Sequence, residues 1–100
     1  MTNEEFLQRY DSGEPEFTKD EIMEMAYEKF GNYIDKISET FDSWTQAVQT
    51  IFEVDGRLFA VSWLMSLTEI QENDFDDAEV YEVERKEKVI FNYIRKNIYD

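Results

Sequence analysis

The chain has 100 residues, 24 Asp plus Glu against 10 Lys plus Arg, a formal net charge of −14, and neither His nor Cys. So short a chain builds one core and not two, which predicts a single domain over residues 1–100. Without imidazoles or thiols there are no disulfides, no zinc constellation and few routes to nucleophilic or acid–base catalysis at neutral pH. With 42% hydrophobic and 16% aromatic residues, the acidity belongs to a folded domain, whose surface is a strongly negative field.

Taken from its start, Met1-Thr2-Asn3-Glu4-Glu5 is acidic where a secretory leader is basic and then apolar, so no export signal is expected and the cytoplasm is the expected location. Thr2-x-x-Glu5 and Thr18-x-x-Glu21 are two capping boxes, each predicting a helix start. The second has Phe17 and Ile22 at the positions of a hydrophobic staple, and Ile22, Ala26 and Phe30 then recur four apart. Gly31 is a natural stop for that helix. Between the two, Ser12-Gly13-Glu14-Pro15 reads as a turn. From Tyr33 to about Phe41, Ile34, Ile37 and Phe41 share a helical face, as a separate helix or as the same helix continued through Gly31; residues 1–41 are thus the helical part.

From Trp44 the period changes to two, with Trp44, Val48, Phe52 and Val54 on one side and Gln49 and Glu53 on the other. Asp55-Gly56, between Ile51-Phe52-Glu53-Val54 and Arg57-Leu58-Phe59-Ala60-Val61, predicts a hairpin with a type I′ turn. A two-residue turn sets Val54 opposite Arg57, Phe52 opposite Phe59, Thr50 opposite Val61 and Val48 opposite Trp63. The aromatic face of this hairpin should meet the helices, so Trp44, Trp63, Phe52 and Phe59 read as core. The most apolar stretch, Leu58 to Met65, is far short of the ~20 residues that span a bilayer, and an anionic leaflet repels an acidic surface, so no membrane partner is expected. A further strand is expected at Val89–Ile94, with helix the alternative, and Val80 to Val83 is a shorter candidate. The expected fold class is α+β, N-terminal helices packed on a three- to four-stranded antiparallel sheet, with residues 42–100 the sheet part.

No enzyme chemistry emerges. Ser12, Ser38, Ser43, Ser62 and Ser66 have no histidine to activate them, the three glycines make no phosphate loop, and two carboxylates at a hydrolase's spacing are expected by chance among so many acids. Residues 72–79 invite a calcium reading, but with Asp74 as first ligand Glu79 stands where the EF-hand loop needs Gly and Arg85 where it needs its bidentate Glu. No cofactor and no metal are expected.

Charge placement is more informative. Residues 67–84 hold eight acids and no base: Glu69, Glu72, Asp74, Asp76, Asp77, Glu79, Glu82 and Glu84. In extended chain, the pairs Asp74 and Asp76, Asp77 and Glu79, and Glu82 and Glu84 project on one side about 6.6 Å apart. Duplex phosphates advance about 3.4 Å per step, so alternate residues span roughly two steps of a nucleic-acid backbone. The segment reads as a mimic of phosphates that binds a basic nucleic-acid-handling protein; the alternative is a solvated acidic loop that maintains solubility. Direct contact with nucleic acid is not expected of so negative a surface. Arg85, Lys86, Lys88, Arg95 and Lys96 should pair with the acidic segment or with a neighbouring copy, which would give a homodimer.

The runs Val54–Trp63, Leu67–Phe75 and Tyr81–Glu84 resemble small proteins encoded by phages of Gram-positive bacteria, over roughly residues 44 to 94. The resemblance implies a phage or prophage origin. Size, acidity and that origin are together similar to the acidic anti-CRISPR inhibitors of Cas9. It follows from the resemblance that the partner is Cas9 or another host nuclease in a bacterial cytoplasm, whose basic channels present Arg and Lys to phosphate-like oxygens.

Overall fold

The computed structural model describes residues 1–68, 71–87 and 96. Two helices, α1 (Asn3–Asp11) and α2 (Lys19–Ala26), precede four strands, β1 (Asn32–Thr40), β2 (Thr45–Val54), β3 (Arg57–Ser66) and β4 (Asp74–Val83). The strands form one antiparallel sheet in the order β1-β2-β3-β4. The fold is α+β, with short N-terminal helices on a four-stranded antiparallel sheet.

The Asp55-Gly56 turn sets the register from which the rest is built. Both residues have positive φ, 49° and 81°, the conformation that a type I′ turn requires. Val54 pairs with Arg57, Phe52 with Phe59, Thr50 with Val61 and Val48 with Trp63, as the two-residue turn predicts. This face carries the core: Val48, Thr50, Phe52, Val54, Phe59, Val61 and Trp63 are buried.

Both helices begin where their caps predict. The Thr18 hydroxyl accepts from Glu21 N–H while Glu21 accepts from Thr18 N–H, a complete capping box. At Thr2 only the first arm forms, with Glu5 N–H donating to the hydroxyl at 3.1 Å. Phe6 of α1 and Ile22, Met25 and Ala26 of α2 close over the sheet with Phe30.

Three expectations are corrected. The second helix ends at Ala26, well before Gly31, because Glu28 turns into the left-handed region with φ of 68°. Phe30 still reaches the core, from the connecting segment. Residues 32–40 are strand β1 and not helix, so the helical part stops short of 41. Gly31, with φ of 67°, makes the corner between them; a Cβ there would lie 2.8 Å from the Glu53 carbonyl oxygen. Trp44 lies just outside β2 and is 60% exposed, in the β1–β2 turn, where Asp42 accepts from the Trp44 and Thr45 amides. The short strand expected at Val80–Val83 is the end of the longer β4. The element expected at residues 89–94 lies outside the described residues.

One polar contact ties the layers. The Thr50 hydroxyl, fully buried, donates to the Ala26 carbonyl at 2.9 Å and accepts from Trp63 Nε1 at 3.1 Å. Thr50→Val keeps the shape but strands a helix-end carbonyl and an indole N–H, at a cost of about 2 kcal/mol. Urea denaturation should show a lower midpoint with an unchanged slope; an unchanged midpoint would show that the two groups find other partners.

Candidate functional site

Strand β4 carries the acidic segment, and its position follows from a broken alternation. Phe75 and Ala78 both pack on the core although they are three residues apart, and the β3–β4 register shifts between Ser62 and Leu64. Between the pairings of these two residues β4 carries three more residues than β3, and the consecutive Asp76 and Asp77 are both exposed. In a regular strand one of them would enter the aromatic layer, where Phe75 stacks on Trp63 at 5.4 Å and meets Tyr27 edge-on at 5.6 Å. Asp74 fastens the kink by accepting from Asp76 N–H at 2.9 Å, and Asn73 holds its entrance by donating to the Tyr27 hydroxyl and accepting from Ser66 N–H.

Seven of the eight sequence-predicted carboxylates fall within the described residues, and Glu69 lies outside them. Asp74, Asp76, Asp77 and Glu79 are exposed along β4, and among the described residues none of the four forms an ion pair. Glu72 is exposed in the connection before the strand. Asp77 lies in a groove with Ser62, and Glu79 is paired opposite Ser62, so this expected pair shares the face away from the helices. Asp74 shares the groove with Asp77 and not with Asp76, because the three-residue shift of register, an odd number, reverses the alternation of faces along β4.

Glu82 and Glu84 do not join this set. Glu82 pairs opposite the buried Phe59, on the helix-facing side, and is bound by Arg57 at 2.7 Å. Arg57 also grips Asp11, at the end of α1, with two bonds of 3.0 Å, and lies over the Phe59 ring. Glu84, beyond the end of β4, pairs with exposed Lys86 at 3.2 Å. The expected pairing of basic tail with acidic segment is present at Lys86 but, among the described residues, not at Arg85 or Lys96; Lys88 and Arg95 lie outside the described residues.

Hydrogen bonds from Arg57 hold the carboxyls of both Asp11 and Glu82 below their ordinary values. A lowered folded value makes a stabilisation that is complete above the unfolded carboxyl value and is lost as pH falls through the folded one. Arg57→Met should therefore be less stable than the parent at neutral pH, and the gap should close in acid. Thermal melts followed by circular dichroism across that range check it; a gap independent of pH would assign the effect to packing on Phe59.

The groove, of about 230 Å³, crosses the sheet on the face away from the helices. Glu39 of β1, Ala47 of β2, Leu64 of β3 and Asp74 of β4 are successive partners in register and form one row across it. Ile37, Ala47 and Leu64 give an apolar floor, Asp74 and Asp77 acidify one end, and Glu39 the other. At the same end of the sheet Phe41, Trp44 and Leu67 are half or more exposed, with Leu67 N–H bonded to the Trp44 carbonyl. Sequence reasoning missed Glu39 and Ile37, since a segment taken for helix gave no reason to set them beside β4. Burial and the charge of Glu79 push the Tyr81 phenol, on the same strand β4, above its ordinary value.

Among the described residues no cluster of acids is suited to hold a metal ion, and no helix is long and apolar enough to cross a membrane. The groove is smaller than the roughly 300–1,000 Å³ of sites that enclose a small molecule. No protein-family model, curated protein or solved structure matches the chain.

Proposed function

We propose that the chain is an acidic, phage-encoded binding protein that inhibits a host nucleic-acid-handling defence enzyme, a CRISPR-Cas9 effector, by offering carboxylates where that enzyme receives phosphates. The observation that carries this reading is the kinked β4, on which Asp74, Asp76, Asp77 and Glu79 are exposed and free of ion pairs among the described residues. A strand backbone holds such groups at fixed spacing, so binding does not have to order a loop first. Phage origin and the choice of Cas9 rest on the resemblance of residues 44–94. The protein acts in the bacterial cytoplasm, without cofactor or catalysis.

Adding the protein in excess to guide-loaded Cas9 before target DNA should stop cleavage. Undiminished cleavage would overturn the proposal.

A second reading is a phage structural or accessory protein that self-associates, its acidity serving solubility. It is favoured by the exposed Phe41, Trp44 and Leu67 and by β1, an edge strand among the described residues. Light scattering that finds a monomer at every concentration would remove it.

A further inference from the structure

We infer that the groove across the open sheet face seats a single arginine side chain of the basic partner, its stem on Ala47 and Leu64 and its guanidinium between Asp74 and Asp77. The inference rests on the binding function proposed above and adds the recognised group. Neighbouring strands lie about 4.8 Å apart, so the row from Glu39 to Asp74 runs roughly 14 Å. That is longer than any contact between two carboxylates and suits a long side chain lying along it. The floor along this row is apolar, with Gln49 and Ser62 lining the groove beside it, and the cation-seeking groups stand at the ends.

Arginine fits this division better than lysine. Its guanidinium is weakly hydrated and tolerates an apolar floor, and its fork of donors can serve two carboxylates at once, whereas an ammonium is a strongly hydrated point charge. Asp74 and Asp77 are brought to the same end by the β4 kink, so the feature that keeps both aspartates out of the core also builds a two-carboxylate receptor. Glu39 keeps the far end negative, which excludes anionic side chains and leaves the groove selective for cations.

The test uses the full chain and two short peptides, one alternating Gly and Arg and its Gly and Lys counterpart, titrated while methyl resonances of Ala47 and Leu64 are followed by NMR. Saturable shifts of both methyls are expected, with the Arg peptide binding about tenfold more tightly than the Lys peptide. Ala47→Phe fills the groove with every charge intact and should weaken the Arg peptide about tenfold; the methyl shifts of the parent protein are a readout that does not depend on the variant folding.

If the Arg peptide binds Ala47→Phe as well as the parent, yet fails to bind the variant with Asp74, Asp76, Asp77 and Glu79 neutralised, the groove inference falls and the acidic-surface function stands. If the parent and both variants bind alike, both fall. Shifts absent from Ala47 and Leu64 would overturn the groove inference alone.

Discussion

Phe6→Ala is expected to destabilise the fold by about 3–5 kcal/mol, the range for a buried phenylalanine whose cavity does not collapse. Phe6 is fully buried, and its ring lies 4.8–6.2 Å from those of Tyr10, Phe17, Phe30, Phe52 and Phe59. These neighbours come from α1 itself, the connection to α2, the connection before β1 and the hairpin, so one side chain joins the helical layer to the sheet. Phe52 and Phe59 are pinned opposite each other in the β2–β3 ladder and cannot move into the space. Domains of this size have about 5–15 kcal/mol in total, so the variant should approach global instability. Phe6→Leu retains most of the volume and should lose much less. Urea midpoints measure both; a loss under about 1 kcal/mol for the alanine variant would contradict this packing.

The second large effect is on binding. The fourfold change Asp74→Asn, Asp76→Asn, Asp77→Asn and Glu79→Gln preserves shape and removes four charges from β4. A unit-charge pair 4 Å apart gains about 1 kcal/mol even in bulk water, and more near a protein surface. Losing several such contacts should weaken Cas9 binding at least about a hundredfold and flatten its salt dependence. The control is Glu4, Glu14, Glu16 and Glu24→Gln, four exposed acids of the helical part, which removes the same amount of negative charge. Isothermal titration at two salt concentrations separates the cases. Near-parental affinity for the control marks a local contact surface, whereas equal loss in both variants would mean that only the overall field matters.

What the sequence made legible, and what it hid, divides along physical lines. Asp55-Gly56 fixed four pairings correctly because positive φ at two successive residues leaves few turns open. Thr18 and Glu21 marked a helix start because their reciprocal bonds are local. Strand β1 was hidden: among the described residues it is an edge strand, and of its own residues only Lys36 is half-buried, so no alternation of apolar and polar residues marks it. The β-bulge between Tyr33 and Asp35 disrupts the period further, and Ile34, Ile37 and Phe41 fall by coincidence at helical spacing.

The acidic segment was legible as composition and not as geometry. Eight acids without a base stood out, but two of them, Glu82 and Glu84, belong to ion pairs made with Arg57 and Lys86. The partnership of Glu82 with Arg57 and Asp11 spans elements far apart in the chain, which no local pattern reports. The groove depends in the same way on the pairing of β1 with β2, and so could not be read before β1 was known to be a strand.

Carboxylates that occupy the place of phosphates must compete with DNA, and equilibrium competition tests that most directly. Guide-loaded Cas9 is titrated with fluorescent target duplex at increasing concentrations of the protein, and DNA binding is read by anisotropy. The apparent DNA affinity should fall in proportion to added protein, with full binding restored at saturating DNA. A ternary complex of Cas9, duplex and this protein, with DNA affinity unchanged, would contradict it.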